Sequence, residues 1–305
     1  MIKKIVIIFL GDFYFDARCI NMADTIIDSG LELSIIDTGK SGSKYRGHSI
    51  HHINVADRGI FKFFKFHLRA KNILNKINPK IIIAADLYSL PAATSNKNSF
   101  IVYDSRELYT KLAGLKSQPI KQLYWSYIEK KNINKANTVL VTAPGDGNFL
   151  RKTYNDLKLS TIYNFPSLKM IPSGKNSLRK KLNLTLENPI FLYQGVLHKD
   201  RGIKKMINLL EYFSNAHAVI IGNGPYNYEL KDYSKSVGLS NRTHFYGAVQ
   251  YLDLLEVTAD ANIGFSLINP ISKSYEQALP NKLFEYAIAG IPVIASKLPE
   301  IEKII

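Results

Sequence analysis

What this chain lacks narrows its function first. Cys19 is the single cysteine in 305 residues, so neither an intramolecular disulfide nor a paired-cysteine zinc ribbon can form, and a reducing compartment, the cytoplasm, is expected. No run of about 18 apolar residues occurs, so hydropathy offers no spanning helix. The apolar start, Met1 to Leu10, is followed by Asp12 and Asp16 and by no small-residue cleavage site. It reads as a buried first β-strand rather than a signal peptide. Acid is scarce: 25 Asp and Glu face 40 Lys and Arg, a net charge of +15. Residues 1–166 hold 24 of the basic side chains and 13 of the acidic ones, so that half is expected to meet something anionic, phosphates or a lipid surface. The spacings of the common nucleic-acid modules are absent, and no nucleic-acid partner is expected.

Several chemical signatures are missing too. There is no HExxH, no GxSxG, and no GxGxxG after a strand of the first half, which argues against a zinc protease, a serine hydrolase and a dinucleotide dehydrogenase. Thr38-Gly39-Lys40-Ser41 carries GKS, but the first glycine of a phosphate loop would fall on Ser34. His48, His51 and His52 are close in sequence, yet a strand points His51 and His52 to opposite faces. No two aspartates occur as DxD, the pair that holds a divalent ion on a diphosphate, so bound phosphate would have to be met by helix ends, glycine-rich backbone and Arg or Lys, with no metal required.

What is present is an alternation of continuous apolar runs with helical spacing along nearly the whole chain, the grammar of an α/β protein with parallel sheets. Strands are predicted near Lys4–Phe9, Glu32–Asp37, Ser49–Ile53, Lys80–Ala84, Phe100–Tyr103, Thr138–Val141 and Thr161–Tyr163. A second set falls near Ile190–Tyr193, Ala218–Ile221, Thr243–Tyr246, Ala261–Phe265 and Pro292–Ala295. Between the sets, residues 164–176 gather Pro, Gly, Ser and Lys without periodicity and read as a linker. Two Rossmann-like doubly wound domains are expected, 1–165 and 166–305, with ligands bound outside the carboxyl ends of the strands.

Candidate site residues cluster after the strands of the second half. Gly195 follows the strand ending at Tyr193, and Arg201, six residues further, opens the next helix and is placed for a phosphate. Gly222 begins the Gly-Asn-Gly-Pro turn, and Gly247 with Val249 follows a third strand. In the stretch from Leu279 to Ser296, Asn281 or a neighbour is expected to cap a short helix, Lys282 opens it, Glu285 lies one turn inside, and Gly290 stops it. A carboxylate there can accept from the vicinal hydroxyls of a ribose.

The series YQG…RG, IIGNGP, FYGAV and PNKLFEYAIAGIPVIAS, spanning about residues 189–300, resembles the carboxyl-terminal domain of the retaining GT-B glycosyltransferases of family 4. Asp16-Ala17-Arg18, Val102 to Glu107 and Tyr163 to Pro166 resemble that family more loosely. The resemblance implies that Glu285 is the second glutamate of the EX7E motif and binds the donor ribose, while the first falls on Gln277, beside Glu276. It implies that the diphosphate-binding cations fall on Val196 and Arg201, with Lys282 or Lys205 supplying the missing charge. Arg106 stands where many relatives place a His near the reacting sugar. The same comparison leads one to expect a further strand and helices after Ile305, so the carboxyl-terminal domain reads as incomplete.

The implied activity is transfer of a sugar from a nucleotide diphosphate sugar, UDP-linked by expectation, to a lipid-linked or polysaccharide acceptor of the cell surface. Arg106, Arg201 and Lys282 would be its catalytic residues; the alternative is a non-catalytic partner with the same fold. Finally, seven basic residues from Arg58 to Lys80, interleaved with Phe61, Phe63, Phe64, Phe66 and Leu68 and with no acid among them, form a cationic amphipathic segment expected to lie peripherally on an anionic membrane.

Overall fold

The structure is a computed structural model that describes residues 4–55, 59–167, 172 and 177–305. It forms two compact units, Met1–Tyr163 with Ser272–Gln277, and Asn164–Ile271 with Ala278–Ile305. No single cut in the sequence describes that division, because the short excursion at Ser272–Gln277 groups with the amino-terminal unit. The residue range read as a linker falls largely outside the described residues.

In the amino-terminal unit the strands are β1 (Lys4–Ile8), β2 (Glu32–Asp37), β3 (Lys44–Tyr45), β4 (His48–His52), β5 (Ile81–Ala84), β6 (Phe100–Ser105), β7 (Thr138–Val141) and β8 (Leu159–Thr161). They form one sheet in the order β3-β4-β2-β1-β5-β6-β7-β8. Every pairing is parallel except β3 with β4. That two-residue hairpin strand was not legible in the sequence: Lys44 and Tyr45 are too few to show a period. The last strand also sits two residues earlier than its apolar run suggested. β1 needs no alternation because helices cover both faces; four of its five residues, Ile5 to Ile8, are buried. The helices are α1 (Ala17–Asp28), α2 (Ile60–Ile77), α3 (Leu90–Thr94), α4 (Pro119–Ile133) and α5 (Pro144–Thr153). The Asp16 carboxylate accepts from the Cys19 N–H and so caps α1.

The carboxyl-terminal unit contains α6 (Ser177–Leu182), β9 (Ile190–Gln194), α7 (Ile203–Asn208), β10 (His217–Ile221), α8 (Asn227–Ser236), β11 (Thr243–Gly247), α9 (Tyr251–Thr258) and β12 (Ile263–Ser266). After the four-residue α10 (Lys273–Glu276) come α11 (Lys282–Ile288), β13 (Val293–Ala295) and α12 (Pro299–Glu302). The five strands run parallel in the order β11-β10-β9-β12-β13. This is a doubly wound sheet whose order reverses beside β9, so the carboxyl end of β9 is where such a sheet offers a ligand crevice. Among the described residues no helix is long and apolar enough to cross a membrane.

Candidate functional site

The end of β9 is built by close backbone packing that only glycine permits. Gly222 has φ +130°, and a Cβ on it would lie 2.0 Å from the Gly195 carbonyl oxygen; one on Gly224 would lie 2.2 Å from the Leu197 carbonyl oxygen. The two turns are stitched together by Gly195 N–H to Ile221 O (2.9 Å), Leu197 N–H to Asn223 O (3.0 Å) and Gly222 N–H to Gly247 O (2.8 Å). The three strand-end glycines therefore form one continuous backbone surface. The Tyr193 hydroxyl donates to the Val196 carbonyl (2.9 Å) and holds the first loop down, leaving the Val196 side chain exposed.

α11 reaches the same strand end from the other side. The Tyr286 ring lies against Gly264, where a Cβ would meet it at 2.5 Å. Its hydroxyl donates toward the Leu192 and Phe265 carbonyls (3.3 Å each), which fixes the helix over β9 and β12. Lys282, Leu283, Phe284, Glu285 and Tyr286 are all buried. Two side chains that their types would place in water are thereby held inside the protein.

Glu285 is oriented by a relay that sequence reasoning missed. The Gln194 Nε2 donates to its Oε2 (2.5 Å), and the Thr258 hydroxyl donates to the Gln194 Oε1 (2.8 Å). The other carboxylate oxygen, Oε1, accepts no hydrogen bond from the described residues. Burial pushes the Glu285 carboxyl above the usual range, opposed by the Gln194 hydrogen bond and the Lys282 charge. The available signal was that Gln194, a polar residue, ends an otherwise apolar strand; nothing marked Thr258.

Lys282 carries the stronger perturbation. Its Nζ lies 3.7 Å from the centroid of the Tyr193 ring and 3.5 Å from where a Gly195 Cβ would stand. Among the described residues it has no ion pair or hydrogen-bond acceptor. Burial, and then the Arg201 charge, bring it down to about 7, with Glu285 pulling the other way. A largely buried cation short of acceptors over an aromatic face is poised for an anion brought from outside.

The remaining expected residues separate into three groups. Arg201, half-buried, lies in the turn before α7 rather than inside it. Asp200 (φ +67°) and Gly202 (φ +67°) bend that turn, and Asn269 bonds it through Asp200. Lys205 is exposed on α7. Val249 is half-buried and packs against the apolar core, which leaves its backbone rather than its side chain for a ligand. Asn281 does not cap α11 with its side chain, as the sequence suggested: its own φ and ψ are already helical, and its carbonyl accepts from Phe284 and Glu285. Gln277 and Glu276 close α10, where Glu276 pairs with Lys273 (2.8 Å).

In the amino-terminal unit, Arg106 is held on three sides: Nε by Asp104 (3.2 Å), one terminal nitrogen by Asp16, the other by the Cys19 sulfur (2.8 Å). Asp104, fully buried, also takes a bidentate pair from Arg18. Arg106 thus braces the start of α1 against β6. Of the histidines, His52 hydrogen-bonds Asp37 and the Gly42 carbonyl (2.5 Å each), and His48 bonds Leu33.

Comparison with known proteins gives the class. Residues 174–305 match the family model described as glycosyl transferases group 1. The fold is the GT-B fold of two Rossmann-like units, and the match of residues 174–305 supports transferase activity. Among solved structures the chain is similar to a sucrose-phosphate synthase from Thermosynechococcus elongatus (TM-score 0.77, 17% identity, 97% of this chain and 82% of that one). It is also similar to WaaG, a glycosyltransferase involved in lipopolysaccharide biosynthesis (TM-score 0.79, 13% identity, 98% and 83%). A third is Anabaena Alr3699/HepE, solved in complex with UDP-glucose (TM-score 0.77, 14% identity, 99% and 82%). No curated protein matches.

Proposed function

We propose that the carboxyl-terminal unit binds a nucleotide diphosphate sugar, with UDP as the favoured nucleotide, and that the enzyme is a retaining transferase of family 4 type. The observation that carries this reading is the pair at the start of α11: a buried carboxylate with one oxygen held by Gln194 and the other left to accept, beside a buried ammonium short of acceptors. A ribose supplies the hydroxyl donors that Glu285 Oε1 lacks, and a diphosphate supplies the acceptors that Lys282 lacks. The backbone surface of Gly195, Gly222 and Gly247 lets a nucleotide approach where a side chain would block it. The complex of Alr3699/HepE with UDP-glucose supports the choice of ligand.

In this reading Arg201 and Lys282 neutralise the leaving diphosphate, the main electrostatic contribution to the rate. The acceptor hydroxyl attacks from the face the diphosphate leaves, giving up its proton to a diphosphate oxygen. The amino-terminal unit, with most of the positive charge, takes the acceptor side, a lipid-linked or polysaccharide glycan at an anionic membrane.

Glu285→Gln is expected to weaken nucleotide-sugar binding by about 1.5–3 kcal/mol, the range for a hydrogen bond to a charged group, and Arg201→Ala by a similar amount. Calorimetric titration with a panel of nucleotide sugars, followed by nucleotide release, decides it. Unchanged affinity in both folded variants removes the residues from the site. Since cations rather than a DxD pair meet the phosphates, a chelator is expected to leave binding and turnover unaltered. Activity lost on chelation and restored by manganese or magnesium overturns that part.

A further inference from the structure

Thr38-Gly39-Lys40-Ser41 and the histidines of β4 meet at the carboxyl end of the amino-terminal sheet. The anion held by the first of these motifs is internal. The Lys40 N–H (3.3 Å) and the Ser41 hydroxyl (3.1 Å) both donate to the Asp12 carboxylate, in the turn between β1 and α1. Asp37, fully buried at the end of β2, accepts from the Phe13 N–H of the same turn (3.0 Å). The Thr38 N–H donates to the Gly11 carbonyl (2.9 Å), and the Tyr14 hydroxyl to the Lys44 carbonyl (2.7 Å). Residues 38–44 and 11–14 are thus one hydrogen-bonded unit. Gly39 is wedged between its two carboxylates, where a Cβ would lie 2.6 Å from the Asp12 Cγ and 2.8 Å from Asp37 Oδ2.

His52 closes this unit from β4. Its Nδ1 meets Asp37 Oδ1 and its Nε2 meets the Gly42 carbonyl, each at 2.5 Å. Both partner oxygens accept, whereas a neutral imidazole carries a single N–H. The arrangement therefore holds two protons, one on Nε2 and one in the Nδ1 to Oδ1 bond. Loss of the second sets two lone pairs against each other and removes the cation that pairs with Asp37.

The charged groups facing the ring among the described residues are Asp37 from β2 and Asp12 from the turn after β1, with His51 beside it on β4. Burial opposes the charge on His52, but the bonds to Asp37 and Gly42 and the Asp37 and Asp12 charges outweigh it, so the ring titrates above its ordinary 6.5. Asp37 is raised as well, by burial ahead of its bonds from Phe13, His52 and Gly39. Burial, then the Lys4 and His52 charges, hold His51 below its ordinary value, so it adds no charge in alkaline solution. Both members of the pair bind protons more readily closed than apart, and closure weakens as pH rises above 6.5.

The order of the sheet reverses at β1, with β2 on one side and β5 on the other. A doubly wound sheet takes its ligand outside the carboxyl end of such a strand. We propose that His52 is a positioning residue: its doubly protonated contact clamps residues 38–44, and through them the turn from β1 to α1, in the shape that turn presents to the acceptor. This deepens the acceptor-side reading and rests on it only for its purpose.

Amide exchange at Phe13 and Lys40, corrected for the intrinsic rate and referred to Val6 in the core of β1, reads the clamp directly. It is followed from about pH 6 to about pH 9 in the unliganded parent, His52→Gln and His52→Lys; lysine keeps charge and donors over that range, and glutamine has no charge to lose. In the parent, protection of both amides is expected to fall by up to about tenfold per pH unit above about 6.5, levelling once the folded value is passed. His52→Gln is expected to be less protected at about pH 6 and to show no such slope, and His52→Lys to stay protected throughout. A parent without the slope, the same slope in His52→Gln, or equal loss in both variants overturns the clamp. No nucleotide sugar is present in these measurements, so failure of every donor to bind fails the proposed function and leaves the clamp standing.

Discussion

Lys282→Met is expected to bind nucleotide sugar more weakly than the parent, to lose the pH dependence of that binding, and yet to be the more stable protein. The buried ammonium titrates at about 7, so above neutrality the unliganded site holds a neutral amine. A diphosphate favours the charged form, so binding takes up a proton there, and affinity falls as pH rises beyond 7, by up to about tenfold per unit. Methionine fills the same space without a proton to gain. Titrations at about pH 6 and pH 9, in buffers of different ionisation heat, read both effects; an equal pH slope in the two proteins rules Lys282 out as the titrating group.

The stability effect has the opposite sign. An unfolded lysine keeps its proton up to the ordinary value of 10.5, whereas the folded one gives it up at about 7. Between those values the unfolded chain binds more protons, so raising the pH favours folding. Below 7 the cost of a buried charge is fully present. Lys282→Met is expected to gain on the order of 2 kcal/mol at about pH 6, the difference narrowing toward pH 10, as followed by thermal melting of the carboxyl-terminal unit. A site that keeps a buried cation for its ligand gives up stability when unliganded.

Asp104→Ala is expected to destabilise the amino-terminal unit by about 3–5 kcal/mol, the cost of stranding a buried charge. Asp104 is fully buried and accepts from Arg18 Nε (3.0 and 2.8 Å), from a terminal nitrogen of Arg18 (2.6 Å) and from Arg106. Without it, among the described residues the Arg18 guanidinium keeps only the Ile162 carbonyl (2.8 Å). The chain's single tryptophan, Trp125, is buried in this unit against Phe63 and Tyr88, so its fluorescence in a urea titration reports on this unit. A midpoint that moves by less than the equivalent of about 1 kcal/mol shows that Arg18 and Arg106 find other partners.

The sequence carried the fold class because its evidence is local. Uninterrupted runs such as Ile5 to Ile8 and Ala218 to Ile221 can only be strands covered on both faces, and parallel strands require helices between them. The motif glycines were legible for a related reason: positive φ at Gly195, Gly222 and Gly247 is a backbone demand that few other residues meet. Asn281 stands at the N-cap of α11, but its side chain makes no capping hydrogen bond, because its backbone is already helical and its carbonyl accepts from Phe284 and Glu285; residue type alone does not show that conformation.

By itself, then, the sequence determined the two doubly wound sheets, the strand-end turns and the identity of Glu285, Arg201 and Lys282 as candidates, all consequences of residue type read at short range. Only the tertiary structure decided their states. That Lys282 is buried over Tyr193, that Gln194 and Thr258 aim the Glu285 carboxylate, and that Arg106 is taken by Asp16, Asp104 and Cys19 depend on which distant segments share a neighbourhood. The Gln194 and Glu285 contact alone joins positions 91 apart. Burial, which sets the pKa of each group and leaves the outer faces of α2 and α4 in water, is a property of that packing and has no local signature in the chain.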